Sequence, residues 1–107
     1  MRDIPSFLGL ARRAGKLVMG EQAVLDAATH IRLVMTAEDL AAGSLKRAAR
    51  AAEAANAPLV TLPHTKEVLG AALGRGTCGI LALTDEGFAQ EILKATDQVH
   101  NGASKIG

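Results

Sequence analysis

Gly9-Leu10-Ala11-Arg12-Arg13-Ala14-Gly15-Lys16-Leu17 is the segment whose residue types first suggest chemistry, because glycines followed by a lysine can cradle a phosphate. A nucleotide-binding loop needs four residues between its glycines and a hydroxyl residue after the lysine to hold magnesium. It also joins a strand to the helix whose N-terminus receives the phosphate. Here five residues separate Gly9 from Gly15, Leu17 replaces the hydroxyl, and the segment follows a helical pattern. The nucleotide reading fails on mechanism. His30, His64 and His100 are dispersed, and Cys78 has no partner at metal-ligand spacing. A catalytic Cys78–His64 pair would meet only in space, and no nucleophile motif surrounds the thiol; a buried structural cysteine is the commoner case. Asp85-Glu86 reads as a helix start, where acids complement the dipole, rather than as a pair of catalytic carboxylates. The sequence therefore predicts no enzyme, no metal and no cofactor.

The cations are more informative. The net charge is only +1, but residues 1–50 carry eight Lys/Arg against five Asp/Glu, and residues 51–107 carry four against six. The excess lies in two clusters, Arg12-Arg13 with Lys16, and Lys46-Arg47 with Arg50. This asymmetry fits one side that faces a polyanion, and it also fits ordinary solvated helix faces. Phe7 and Phe88 are the only aromatic residues, so the stacking platforms of single-strand binders are missing. Both rings fit apolar helix faces and are expected in the core.

The elements that must position these groups alternate along the chain. Pro5 suits the first turn of a helix through Phe7, Leu8, Leu10 and Ala11, ending near Gly15. Leu17-Val18-Met19 reads as a short strand ended by Gly20. A second helix follows with Ala23, Val24 and Ala27 on one face, to about Thr29. Ile31–Thr36 is a nearly continuous apolar run, as expected of a strand covered on both faces. Gly43-Ser44 opens the next helix, with Ser44 as its N-cap and Asn56 at its end before Pro58. Leu59–Leu62 is a strand closed by Pro63, Thr65 caps a helix ending at Gly74, and Ile80–Leu83 is the last strand. Asp85 caps a final helix carrying Phe88, Ile92 and Leu93, and the tail after about Thr96 is expected to be loose.

Strands are thus predicted near 17–19, 31–36, 58–62 and 79–84. Alternation of this kind gives a sheet between helical layers. Crossovers through helices favour parallel pairing of the three longer strands, while the direction of the first stays open. At 107 residues, with 49% apolar and 21% charged residues, the chain makes one domain with its core at about 4–95. No apolar run approaches the ~20 residues of a membrane span. The N-terminus lacks signal-peptide features and the single cysteine forms no internal disulfide, so a cytoplasmic location is expected.

Four segments together resemble a known family. They are Leu8–Glu21, Leu33–Asp39, Val68-Leu69-Gly70, and Ala82-Leu83-Thr84-Asp85-Glu86-Gly87-Phe88-Ala89. In this order and spacing, over roughly residues 6–94, they are similar to the small ribosomal-protein superfamily of kink-turn RNA binders, the last stretch especially to its bacterial YlxQ-like branch. The resemblance implies an α/β fold, a three-layer α-β-α sandwich with a four-stranded mixed sheet. It also implies a non-catalytic RNA-binding protein whose RNA face is the start of the second helix and the loop before the last strand. In that family a glycine ending the first strand lets the backbone approach RNA. An Asn-Glu pair and a Lys one turn later read guanine edges of sheared G·A pairs, and a short apolar loop covers a flipped-out base.

Carried over residue by residue, Gly15, Lys16 and Gly20 fit. Gln22 falls at the amide position, Ala23 where the family has Glu, and Asp26 where it has Lys. Glu21 could supply the acid only if the helix shifted against Gly20. The apolar loop is replaced by Gly74-Arg75-Gly76-Thr77-Cys78, which is flexible and basic, and Ala27–His30 is about two residues short. The expected RNA-binding residues are Arg12, Arg13, Lys16, Gly20, Glu21, Gln22, Arg75 and Thr77. The expected partner is structured RNA, with ribosomal RNA one candidate; no membrane or small-molecule substrate is expected, and the chain should be monomeric. The alternative is a protein–protein adaptor on the same scaffold that has lost kink-turn recognition, which an apolar surface patch over the second helix would favour.

Overall fold

The computed structural model describes residues 3–99. Helix α1 (Ile4–Arg13) carries Pro5 in its first turn, where the missing N–H costs nothing, and buries Ile4, Leu8 and Ala11 on one stripe. It stops at Gly15 (φ +74°), a backbone geometry in which a side chain is strained. The Gly15 N–H donates to the Arg12 carbonyl and the Lys16 N–H to that of Ala11, closing the helix end. The chain then enters β1 (Leu17–Met19), α2 (Glu21–Ala27) and a 3₁₀ turn (Ala28–His30). The remaining elements are β2 (Leu33–Thr36), α3 (Ala42–Ala55), β3 (Leu59–Thr61), α4 (Lys66–Ala72), β4 (Ile80–Leu83) and α5 (Glu86–Val99).

The sheet order is β1-β4-β2-β3. Every residue of the two central strands, β2 and β4, is buried, as a strand covered on both faces requires. Alternate side chains serve two cores. Leu33, Met35, Leu81 and Leu83 pack against α1, α4 and α5, with Leu8, Leu69, Leu73 and Ile92 among their neighbours. Val34, Ile80 and Ala82 pack on the other face against Val24 of α2 and Ala48, Ala51 and Ala52 of α3. This is the three-layer α-β-α sandwich with a four-stranded mixed sheet.

Four details correct the sequence reading. First, the three longer strands are not all parallel. β2 and β3 are parallel, but β4 runs antiparallel to both β2 and β1, pairing Leu33 with Leu83 and Leu17 with Leu83. The reason lies in residues 74–79, which double back along α4: Arg75 N–H donates to the Gly70 carbonyl (2.7 Å) and Cys78 N–H to that of Lys66 (3.0 Å). That return delivers the chain to the opposite end of the sheet before β4 begins. Second, Ser44 is not an N-cap. Alanine's helix preference carries α3 back to Ala42, and the Ser44 hydroxyl accepts from Arg47 inside the helix. Third, α2 ends at Ala27, two residues before the expected Thr29, and Ala28 takes a positive φ (46°). That kink accommodates the short connection to β2. Fourth, α5 continues past Thr96 to Val99, with the Thr96 hydroxyl donating to the Ile92 carbonyl (3.0 Å) inside the helix. The remainder of the expected loose tail, from His100 onward, lies outside the described residues.

Other expectations hold at the level of single atoms. Thr65 Oγ1 accepts from Val68 N–H (3.2 Å) and Asp85 Oδ2 from Phe88 N–H (3.0 Å), so both caps are present. Asn56, left-handed at φ 56°, closes α3 as predicted. Phe7 and Phe88 pack on the α1/α4/α5 core with ring centroids 5.2 Å apart, locking α1 to α5.

Candidate nucleic-acid interface

β1 is an edge strand, so whatever lies at its ends is open to solvent on one side. At its C-terminal end the Gly20 N–H donates to the Ile80 carbonyl (2.8 Å), tying the residue that precedes α2 to the first of β4. Gly20 sits at φ 97°, ψ 152°, a conformation essentially restricted to glycine. The position a Cβ would take there is 3.7 Å from a guanidinium nitrogen of Arg75. The fold therefore brings two of the expected residues, Gly20 from the first strand and Arg75 from the loop before the last, into direct apposition across 55 residues of sequence.

The loop that carries Arg75 is held firmly. A Cβ on Gly70 would lie 2.6 Å from the Gly76 carbonyl oxygen and 2.6 Å from Thr77 Cα, so the absence of a side chain on α4 lets the loop backbone rest on the helix. Arg12 secures the other side: its Nη1 donates to the Leu73 carbonyl (2.7 Å) at the end of α4 and lies 3.4 Å from the Cβ position of Gly74. A cation on the last carbonyls of a helix is favoured by the helix dipole. Arg12 thus has a positioning task on the loop. Thr77 is exposed on the same loop. Cys78, next in sequence, turns inward and is buried in the α1/α4/α5 core, with its Sγ 3.9 Å from the Ile80 carbonyl. Burial pushes its thiol above the ordinary range, and the nearby Arg75 charge pulls it back by a smaller amount.

On the other side of Gly20, α2 presents Glu21 and Gln22. The Glu21 carboxylate accepts from Arg47 Nε on α3 at 2.6 Å, and Arg47 also donates to Ser44. The acid is therefore engaged across the helix pair. Gln22 Nε2 donates to Asp26 Oδ1 one turn later, at 3.0 Å. Arg12, the Gly74-Arg75 turn, Gly20, Glu21 and Arg47 consequently form a continuous line of contacts around the open edge.

Lys16 does not join that line through its backbone. Its carbonyl accepts from Thr84 N–H (3.0 Å), at the end of β1 remote from Gly20. The three residues of β1 intervene, so that four extended steps, about 13 Å, separate Lys16 from Gly20. Arg13 is exposed in the last turn of α1 near that same end. Two contacts escaped the sequence reading, Arg12 on Leu73 and Arg47 on Glu21. The only sequence signals for them were the helix-terminal place of Arg12 and the clustering of Lys46, Arg47 and Arg50. Among the described residues, no three His, Cys, Asp or Glu side chains converge as a metal site would need.

The comparisons with known proteins agree with this architecture. No family model matches the chain. The chain is 32% identical over 92 residues to the RNA-binding protein YlxQ of Bacillus subtilis, an overlap covering 84% of this chain and 91% of that protein. This chain belongs to the YlxQ family. A solved structure of a Bacillus halodurans protein of unknown function superposes with a TM-score of 0.78 at 26% identity, covering 87% of this chain and 95% of the other.

Proposed function

We propose that the protein is a non-catalytic RNA-binding protein that recognises structured RNA through the start of α2 and the loop before β4. The observation that carries this reading is the Arg75 guanidinium lying over Gly20, where no side chain holds RNA off the backbone. An exposed cation beside bare backbone suits a phosphate that must approach closely. The kinship with an RNA-binding protein supports the same partner. In finer terms, the protein works as a single-domain monomer in the cytoplasm on a kink-turn or a comparable fold of ribosomal RNA. Arg75 and Arg13 meet phosphates, Lys16 contacts a flanking strand from the far end of β1, and Gln22 and Thr77 face the bases. Arg12 and Glu21 shape the surface from beneath.

The test is a salt titration of binding to a kink-turn RNA and to a plain duplex. Each phosphate contact contributes ~0.7–0.9 log unit of affinity per log unit of salt. Arg75→Ala should flatten the slope by about one contact on both RNAs, while Gln22→Ala should leave the slope and cost ~1–3 kcal/mol on the preferred RNA alone. Failure of the wild-type protein to bind either RNA at low salt would remove the proposal.

A second reading, the protein–protein adaptor, has one observation in its favour. Leu25 is 42% exposed beside a groove between α2 and α3 lined by Val24, Ala28, Ala51 and Ala54. If Leu25→Ser abolishes capture of a protein partner and leaves RNA binding intact, that face serves the adaptor role.

A further inference from the structure

Asp26 stands where the family resemblance calls for a lysine, and the structure gives it a specific task. Gln22 and Asp26 are one helical turn apart on the exposed face of α2, with Gln22 Nε2 donating to Asp26 Oδ1 at 3.0 Å. An ionised carboxylate can only accept hydrogen bonds, so the amide nitrogen must be the end of Gln22 that faces it. The two ends of an amide point apart. With the nitrogen engaged by Asp26, the carbonyl oxygen is the end of the Gln22 amide left to accept a hydrogen bond from a ligand.

We propose that Asp26 is a positioning residue that makes Gln22 read RNA as a hydrogen-bond acceptor. The inference rests on RNA being bound at the start of α2, as proposed above. The ligand group selected is a base edge that carries an amino donor: guanine N2, adenine N6 or cytosine N4. A lysine at position 26 would do the reverse. It has donors only, so it would take the Gln22 oxygen and leave the amide nitrogen outward, favouring acceptor edges such as guanine N7. Asp26 is therefore a reversal of reading polarity. Arg75 complements it, since a guanidinium offers donors only and is suited to the phosphate next to the base that Gln22 contacts.

The test uses the full chain and a kink-turn RNA whose sheared-pair guanosines are replaced by inosine, which lacks the 2-amino donor, or by 7-deazaguanosine, which lacks the N7 acceptor. Wild type should lose about tenfold in affinity on the inosine RNA and less than about threefold on the 7-deaza RNA. Asp26→Lys should invert that order, and Asp26→Asn, which can face Gln22 with either end, should fall between. The added charge in Asp26→Lys strengthens binding to all three RNAs alike, so the ratio between analogues is the readout. An Asp26→Lys protein that keeps the inosine penalty, or a wild type indifferent to both analogues, overturns the inference while leaving RNA binding in place. No binding to the kink-turn RNA at low salt overturns both.

Discussion

The two halves of the candidate interface are built by different means. The loop before β4 rests backbone-on-backbone against Gly70, with main-chain hydrogen bonds to Gly70 and Lys66, Arg12 on the adjoining turn, and Cys78 inserted into the core. The start of α2 has only side-chain pairs on an exposed surface, Gln22 with Asp26 and Glu21 with Arg47. Interior contacts are worth kilocalories and exposed pairs tenths of one. Substitutions at the contacts that seat the loop should therefore act through folding, and substitutions on α2 through recognition. Such a division lets exposed residues of α2 such as Ala23 and Asp26 be exchanged without endangering the scaffold.

Gly70→Ala tests the strongest side of this contrast. The added Cβ would sit 2.6 Å from main-chain atoms of Gly76 and Thr77, which cannot swing aside as a side chain can. The expected loss is about 2–3 kcal/mol in urea unfolding, with Arg75 displaced from Gly20. Gly76→Ala, six residues on, meets open space and should change stability by less than about 0.5 kcal/mol. Equal tolerance of the two would mean that the loop is not seated on α4.

Gly20→Val comes next. Its Cβ would be at ordinary contact distance from Arg75, so the cost is conformational: about 1–3 kcal/mol for a branched residue at φ 97°. RNA affinity should fall further than stability alone explains, because the side chain also holds RNA off the backbone. A variant with wild-type affinity would remove Gly20 from the interface.

These two glycines mark how much was legible in sequence. Gly20, Thr65, Asp85 and Asn56 announce their roles because a helix cap or a left-handed residue is a local matter. Alternating helices and buried strands likewise disclosed the layers. Gly70 was readable only as part of a family motif, since its purpose depends on a loop that packs back from six residues away. The antiparallel course of β4 follows from that same loop, so periodicity could not supply it. Arg12 and Glu21 were picked out for their charge, but their partners, the Leu73 carbonyl and Arg47, come from other elements and become visible only when the chain folds.

Cys78→Ser probes the buried end of the loop with a smaller effect. A hydroxyl placed in the α1/α4/α5 core should cost about 1–2 kcal/mol, with RNA affinity unchanged. The pH dependence supplies an independent check. The folded-state thiol titrates above its unfolded value because of burial, so the proton is held more tightly in the folded protein. Its stabilising contribution is complete below the ordinary thiol range and is lost as pH rises through that range toward the folded value. Wild type should thus lose stability at alkaline pH, and Cys78→Ser should show less of that loss. An identical alkaline decline in both proteins would assign it to other groups.

Glu21→Gln addresses the weakest link and separates the two regions most cleanly. The Glu21–Arg47 pair is short but exposed on both sides, so its contribution to stability should be below about 1 kcal/mol. Loss of the carboxylate does two things at the interface. It removes a negative charge beside Gly20, and it releases Arg47, whose guanidinium is then held only by Ser44. Both changes favour a polyanion. Binding at low salt should strengthen severalfold, and the salt dependence should steepen by about one phosphate contact, ~0.7–0.9 log unit per log unit of salt. Arg47→Ala should leave Glu21 unpaired beside the RNA and weaken binding, with little change in unfolding free energy. If Glu21→Gln instead weakens binding while stability stays constant, the carboxylate itself reads a base. The acid missing at Ala23 would then be supplied by its neighbour two positions earlier on α2.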